Sequence, residues 1–125
     1  MVMARSDSPN WQNLEEVRDS FPIPDGFHAS DQGREGGGCT LNPTCQTVKV
    51  FERLYPNGGQ PSPTCAVILK AIDAWKETAE VSGSLDPASD CYFYGKVGAH
   101  HMAVSLVPPV HDGVGNAIDV VVFGS

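Results

Sequence analysis

The segment CYFYGKVGAHHMAVSLV, residues 91–107, constrains the fold more than any other part of this sequence. Two runs of strand-forming residues flank Gly98 and Ala99, and glycine at the first central position is typical of a two-residue hairpin turn. This turn places Val97 opposite His100, and that pair sets the register of the whole hairpin. Because side chains alternate across a strand, the register also predicts which of them share a face.

The two faces of this hairpin differ in chemistry. The first face comprises Cys91, Phe93, Gly95, Val97, His100, Met102, Val104 and Leu106. The second comprises Tyr92, Tyr94, Lys96, His101, Ala103 and Ser105. The first face is the apolar one, so we expect it to pack against a helix.

The rest of the sequence predicts two helices and three further strands. A short amphipathic helix follows Pro9 and ends before Pro22. The strongest helix has Ser62 as its cap and Pro63 as its first residue, and Gly83 is expected to stop it. The predicted strands are Phe27–Asp31, a strand within residues 45–55 and a last strand within residues 117–125.

These elements indicate an α+β fold in which a mainly antiparallel sheet packs against one main helix as a sandwich. A chain of 125 residues is long enough for one core. We interpret residues 1–21 as an N-terminal segment that carries the short helix, and residues 22–125 as a single α+β domain.

Four cysteines place a further constraint on the chain. Cys39 and Cys45 are too far apart for a zinc knuckle, and no C-x-x-C redox pair occurs. We therefore predict two disulfides. The register puts Cys91 on the helix-facing side of its strand, and Cys65 lies on the inner stripe of the main helix, which favours a Cys65–Cys91 bond. Cys39–Cys45 then closes a glycine-rich loop.

The composition indicates in which compartment the protein is found and which classes of partner are disfavoured. Eight basic residues against fifteen acidic ones give a net charge of −7, with no basic cluster, which argues against nucleic acid or an anionic membrane as partner. No apolar run is long enough to span a membrane. Two disulfides are typical of an oxidising compartment. We therefore expect a secreted or cell-envelope protein whose leader is absent from the sequence.

Candidate catalytic residues are few. No H-E-x-x-H or G-x-S-x-G motif occurs, and we predict no cofactor and no metal. One enzymatic hypothesis is a small extracellular hydrolase or metal-dependent enzyme that uses His100, His111 and Asp112 at one end of the sheet. Asp119 is a further candidate, because it is a carboxylate within an otherwise apolar strand.

The second hairpin face suggests binding. Tyr92, Tyr94 and His101 form an aromatic, amphipathic patch, and tyrosine is favoured at interfaces. Our first hypothesis is therefore a non-enzymatic binding or interaction module for a protein or envelope partner. Two alternatives stay open: the N-terminal helix covers the patch, or the patch is an ordinary solvated sheet face.

Part of the sequence resembles a group of exported proteins. The segments PIPDGF, GREGGGCTLNPTCQTVKVFERLY, TCAVILKAIDAW and CYFYG, within residues 22–97, resemble small secreted or lipid-anchored proteins of actinobacteria. The matching positions are Pro22, Pro24, Gly26, Phe27, Cys39, Cys45, Cys65, Trp75 and Cys91. The resemblance implies a location in the cell envelope and no particular reaction.

Overall fold

The structure, a computed structural model, describes residues 10–36, 48–86, 91–108 and 113–124. Its helices are α1 (Trp11–Asp19) and α2 (Cys65–Lys76). Its strands are β1 (Phe27–Glu35), β2 (Lys49–Pro56), β3 (Val81–Asp86), β4 (Tyr92–Val97), β5 (His100–Val107) and β6 (Ala117–Phe123). The fold is α+β, as the sequence predicts. Cys39, Cys45, His111 and Asp112 lie outside the described residues.

All six strands form one antiparallel sheet in the order β1-β2-β6-β5-β4-β3. β1 and β2 make one antiparallel pair, and β3 to β6 follow one another as a meander. The last strand, β6, lies between β2 and β5 and so joins the two parts. The chain crosses from β2 to the far edge of the sheet through α2.

The predicted hairpin register is confirmed. Val97 pairs with His100, and Phe93 pairs with Val104. The apolar face is buried as expected, whereas Tyr92 and Tyr94 on the other face are exposed. The turn chemistry and the alternation of side chains therefore suffice to place this part of the sheet.

The prediction that the main helix continues until Gly83 stops it is wrong, because α2 ends at Lys76 and residues 81–86 form a sixth strand, β3. Gly83 lies opposite Gly95 in the β3–β4 pair and has a φ of +143°. A Cβ atom on Gly83 would lie 2.5 Å from the carbonyl oxygen of Tyr94. Glycine at position 83 permits the close approach of β3 and β4. Because Gly83 follows a helical pattern in the sequence, local reasoning predicts a helix stop there.

Two other boundaries also differ from the prediction. α2 begins at Cys65, after Thr64 as its N-cap, and not at Ser62 or Pro63. Thr64 has extended backbone and pairs with Val114 in an isolated bridge, so the helix cannot start earlier. β1 continues to Glu35, beyond the predicted Phe27–Asp31, because a bulge at Asp31 lets pairing with β2 resume.

Both helices pack on one face of the sheet. Leu14 of α1 and Ile68 and Trp75 of α2 are buried in a single core cluster. On β2, β5 and β6 the strand residues of that cluster occupy alternate positions; they are Val50, Leu54, Met102, Val104, Leu106, Ile118, Val120 and Val122. The residues at the other alternate positions, such as Phe51 and Arg53 on β2, lie on the opposite face, which we call the open face.

Two charged side chains are buried between α1 and the sheet. Arg18 is 5% exposed and Glu52 is 3% exposed. Arg18 donates to the carboxylate of Asp19 at 3.0 Å and to the carbonyl oxygen of Phe51 at 3.3 Å. Gln32 donates to Glu52 at 2.5 Å. Burial raises the pKa of the Glu52 carboxyl, and the opposing effects of Gln32 and Arg18 are smaller.

The predicted Cys65–Cys91 disulfide is confirmed. Its Cα atoms are 5.6 Å apart, within the range of ordinary disulfides. The bond joins the first residue of α2 to the residue before β4, so it ties the helix layer to the sheet. Cys91 is almost fully buried.

We predict that Cys65→Ala with Cys91→Ala lowers the free energy of unfolding by about 3 kcal/mol, because the bond closes a loop with a sequence separation of 26. Urea unfolding of the purified variant measures the loss. The control is Cys39→Ala with Cys45→Ala, since a bond between those closely spaced cysteines would close a much shorter loop. Equal losses in the two variants would contradict the prediction.

We also predict that Glu52→Gln stabilises the protein by about 1 kcal/mol at neutral pH, because it replaces a carboxyl group whose ionisation is disfavoured by burial with a neutral amide. The pKa of Glu52 is higher in the folded state than in the unfolded state. The free energy of unfolding of the wild type therefore falls as the pH rises from the ordinary carboxyl pKa to the folded-state pKa of Glu52. The gain should therefore vanish below about pH 4. Thermal melts across this range test it, with exposed Glu77→Gln as the control. A gain that does not depend on pH would argue against the buried charge as its cause.

Candidate binding site on the open sheet face

The open face has no described helix against it. α1 contacts β2 and β6, and α2 contacts β3 and β5, in both cases from the core side. The hypothesis that the N-terminal helix covers Tyr92 and Tyr94 is therefore wrong. The helix does not cover the tyrosines because Leu14 and Phe21 are buried in the core, which places α1 on the same face of the sheet as α2.

The strand register arranges the open face in rows, of which three cross all six strands of the sheet. The central row is Gly33, Phe51, Val121, Ala103, Tyr94 and Ser84. One flanking row is Ser30, Arg53, Asp119, Ser105, Tyr92 and Asp86. The other is Glu35, Lys49, Phe123, His101, Lys96 and Ser82. The central row is apolar or aromatic on its four inner strands, whereas both flanking rows carry charges.

The three residues predicted for binding converge in one aromatic group. The rings of Tyr92 and Tyr94 are 6.2 Å apart and 9° from parallel, and those of Tyr94 and His101 are 5.9 Å apart and 15° from parallel. The Tyr94 hydroxyl lies 3.4 Å from His101 Nδ1. Tyr92 is 37% exposed and Tyr94 is 46% exposed, so the group reaches solvent.

A polar cavity lies on the same face, over β1, β2 and β6. It measures about 220 Å³ and is lined by Glu35, Lys49, Phe51, Arg53, Asp119 and Val121. Arg53 Nε is 3.8 Å from the Asp119 carboxylate, and Lys49 Nζ is 3.2 Å from the Glu35 carboxylate. Burial raises the pKa of the Asp119 carboxyl, and the charges of Arg53 and Lys49 oppose that rise.

Sequence reasoning found part of this cavity and missed the rest. Asp119 was singled out because it interrupts an apolar strand, and it lies near the centre of the face. Phe51 and Arg53 were missed, although they alternate with the buried Val50 and Leu54 along β2. That alternation is the signal that could have placed them on the open face.

The enzymatic hypothesis gains no support from the described residues. His100 lies at the first position of β5, where its Nε2 is 3.2 Å from the side-chain nitrogen of Asn13. Val107, the last residue of β5, is roughly 23 Å further along the strand. The predicted partners His111 and Asp112 lie outside the described residues.

A second concave feature lies on the helix side. This groove measures about 270 Å³ and runs between residues 22–27 and α2. Its lining is mainly apolar, with Lys70 and Asp25 as its charged residues. None of the predicted binding residues contributes to it.

Among residues 10–36, 48–86, 91–108 and 113–124, no group of three or more His, Cys, Asp or Glu side chains is arranged to hold a metal ion. Neither described helix is long and apolar enough to cross a membrane.

Comparisons of this chain with protein-family models, with curated proteins and with solved structures found no match.

We predict that Arg53→Met raises the pKa of Asp119 further, because the nearest cation is removed from a half-buried carboxylate. Arg53→Met should therefore lower the free energy of unfolding at neutral pH, where Asp119 is charged in the unfolded chain. This loss should be absent in acid, where Asp119 is protonated in both states. Both side chains are partly exposed, so the loss should stay below about 1 kcal/mol. Thermal melts at neutral and acid pH measure it.

Lys49→Met is the matched control for Arg53→Met. Lys49 also acts on Asp119, but it pairs with Glu35 and its effect on the pKa of Asp119 is smaller. A larger effect from Lys49→Met would mean that Arg53 does not dominate the electrostatics of Asp119.

Proposed function

We propose that this chain is an exported, non-enzymatic binding module that docks a protein partner on its open sheet face. The observation that carries the proposal is the arrangement of that face in rows. An apolar and aromatic central row lies between two polar rows, which is the pattern of an apolar interface core with a polar rim. Tyr94 and Tyr92 add large, partly exposed rings with a hydroxyl at the end of each.

The size of the open face suits a protein partner. Six strands about 4.8 Å apart span roughly 24 Å, and the three rows with their side chains span roughly 20 Å, which gives roughly 500 Å². Stable interfaces bury about 800 Å² on each partner. The face therefore supplies most of the area of an ordinary interface, and residues at its rim supply the remainder.

The charges of the face also favour a protein over a polyanion. Its cations Arg53 and Lys49 each lie beside a carboxylate of the same face. These pairs leave little net charge to attract phosphates, and the whole chain has a net charge of −7. A partner with an apolar centre and a mixed polar rim is complementary to this surface.

The exported location rests on the disulfide and on the resemblance to secreted actinobacterial proteins. The Cys65–Cys91 bond persists in an oxidising compartment, where a partner would belong to the envelope or the extracellular medium.

We predict that Tyr92→Ala with Tyr94→Ala weakens partner binding at least about tenfold, because interface aromatics act as hot spots. The immobilised protein is used to recover binding proteins from the envelope and culture fluid of the producing organism. Calorimetry then measures the affinity of each recovered protein for the wild type and the variants.

The matched control is Ile23→Ala, which truncates an exposed apolar side chain on the helix side of the molecule. Both variants should keep the melting temperature close to that of the wild type, since all three side chains are exposed. If the tyrosine variant binds every recovered protein as tightly as Ile23→Ala does, the open face is not the docking site.

A further inference from the structure

We propose that two copies of this chain pair along the edge of β3 and join their six-stranded sheets into one. β3 is an end strand of the sheet. The Gly98 N–H donates to the Glu80 carbonyl at 2.8 Å, so the backbone of Glu80 points toward β4. Because this direction alternates along a strand, Ser82 and Ser84 also bond to β4. The backbone groups of Val81, Gly83 and Leu85 therefore point outward.

The two edges of the sheet differ in how they are protected. β1 carries a bulge at Asp31, where the register shifts, and its last residues Arg34 and Glu35 are charged. Bulges and charges are the usual means of preventing edge pairing. β3 pairs with β4 without a shift from Val81 to Asp86, and within it Gly83 and the two flanking serines are exposed. Between its ends it contains no proline, no charge and no bulge.

Residues 81–85 of β3 are complementary to themselves in the antiparallel direction, whereas at each end of the paired segment Asp86 lies opposite the partner's Glu80, a pair of like charges. A two-fold axis at Gly83 pairs Gly83 with the partner's Gly83 and Val81 with the partner's Leu85. These are the residues whose backbone groups point outward, so all three pairs form hydrogen bonds. Val81 and Leu85 are half-buried apolar residues on the helix side, so their pairing extends the core across the axis. Ser82 lies opposite the partner's Ser84, and neither hinders the approach.

The helix layer leaves room for this pairing. α2 contacts both β3 and β5, so it lies above β4. The two copies of β4 would be three strand spacings apart, about 14 Å, which exceeds the 8–10 Å of packed helices. Two α2 helices therefore do not collide.

An exposed leucine lies on the flank of α2 that would face this gap. Val67, Lys70 and Ala74 lie on the flank that lines the groove near β1. At 100° per residue, Leu69 is about 160° around the helix from Val67 and about 100° from Lys70, and so lies on the β3 side. It is 43% exposed in the single chain. Pairing along β3 would cover it, which accounts for an apolar side chain on the outer part of the helix.

The pairing works through backbone groups of one edge, whereas the proposed function uses side chains of the open face. The two proposals therefore stand or fall separately. A paired sheet would carry two open faces on the same side, with the tyrosines of both copies on β4, the strand next to the paired edge. Such a dimer would bind a repeated partner at two points.

The test uses two double variants of the full chain: Ser82→Lys with Ser84→Lys, and Ser82→Glu with Ser84→Glu. In the proposed register each variant places like charges opposite one another across the axis, which opposes pairing. Mixing the two variants places lysines opposite glutamates. Sedimentation velocity over a micromolar to millimolar range measures the mass, and circular dichroism checks that each variant is folded.

We expect the wild type to form a dimer, each double variant to be a monomer, and the mixture to form a one-to-one heterodimer. Ser30→Lys, on the open face of β1, is the control and should remain dimeric. Tyr92→Ala with Tyr94→Ala should also remain dimeric, which separates this result from the test of partner binding. A wild type that stays monomeric throughout, or double variants that dimerise as well as the wild type, would overturn the proposal.

Discussion

The packing of Trp75 against the end of α1 decides which face of the sheet is covered. Trp75 is fully buried, its ring meets that of Phe21 edge-on at 5.1 Å, and its Nε1 donates to the Ser20 hydroxyl at 2.9 Å. Edge-to-face aromatic pairs add to the free energy of burial, and a buried indole N–H needs an acceptor. These contacts hold both helices on the same side. The aromatic and charged rows on the other side are consequently not covered by either described helix.

Two carboxylates on opposite faces show how the layers differ. Burial raises the pKa of both Glu52 and Asp119. Glu52 lies under α1, where its carboxylate accepts a hydrogen bond from the side-chain amide of Gln32. Asp119 lies on the open face within reach of Arg53 and beside a cavity. The first group belongs to the packing of the fold, whereas the second is available to a ligand or partner surface.

The two proposals use different kinds of recognition. The open face presents side chains, so selectivity there would depend on Tyr92, Tyr94 and the rows around them. The β3 edge presents backbone groups, and selectivity there would come from which residues lie opposite one another. Glycine at position 83 serves the close β3–β4 contact, and in the proposed dimer it also leaves the centre of the two-fold axis free of side chains.

Local patterns in the sequence determined the hairpin register, the main helix and the Cys65–Cys91 bond. Each depends on residues close together in the chain or on the alternation of side chains, so Gly98, Val97 and His100 were enough to place Cys91 toward the helix. Tertiary structure alone decided that Gly83 belongs to a strand, because the reason is the backbone of β4 beside it. It also decided that α1 shares a face with α2, and that Phe51, Arg53 and Asp119 meet across β2 and β6. Those contacts join parts of the chain that are distant in sequence. They depend on how the helices and strands pack together in the whole core, and no local sequence pattern predicts them.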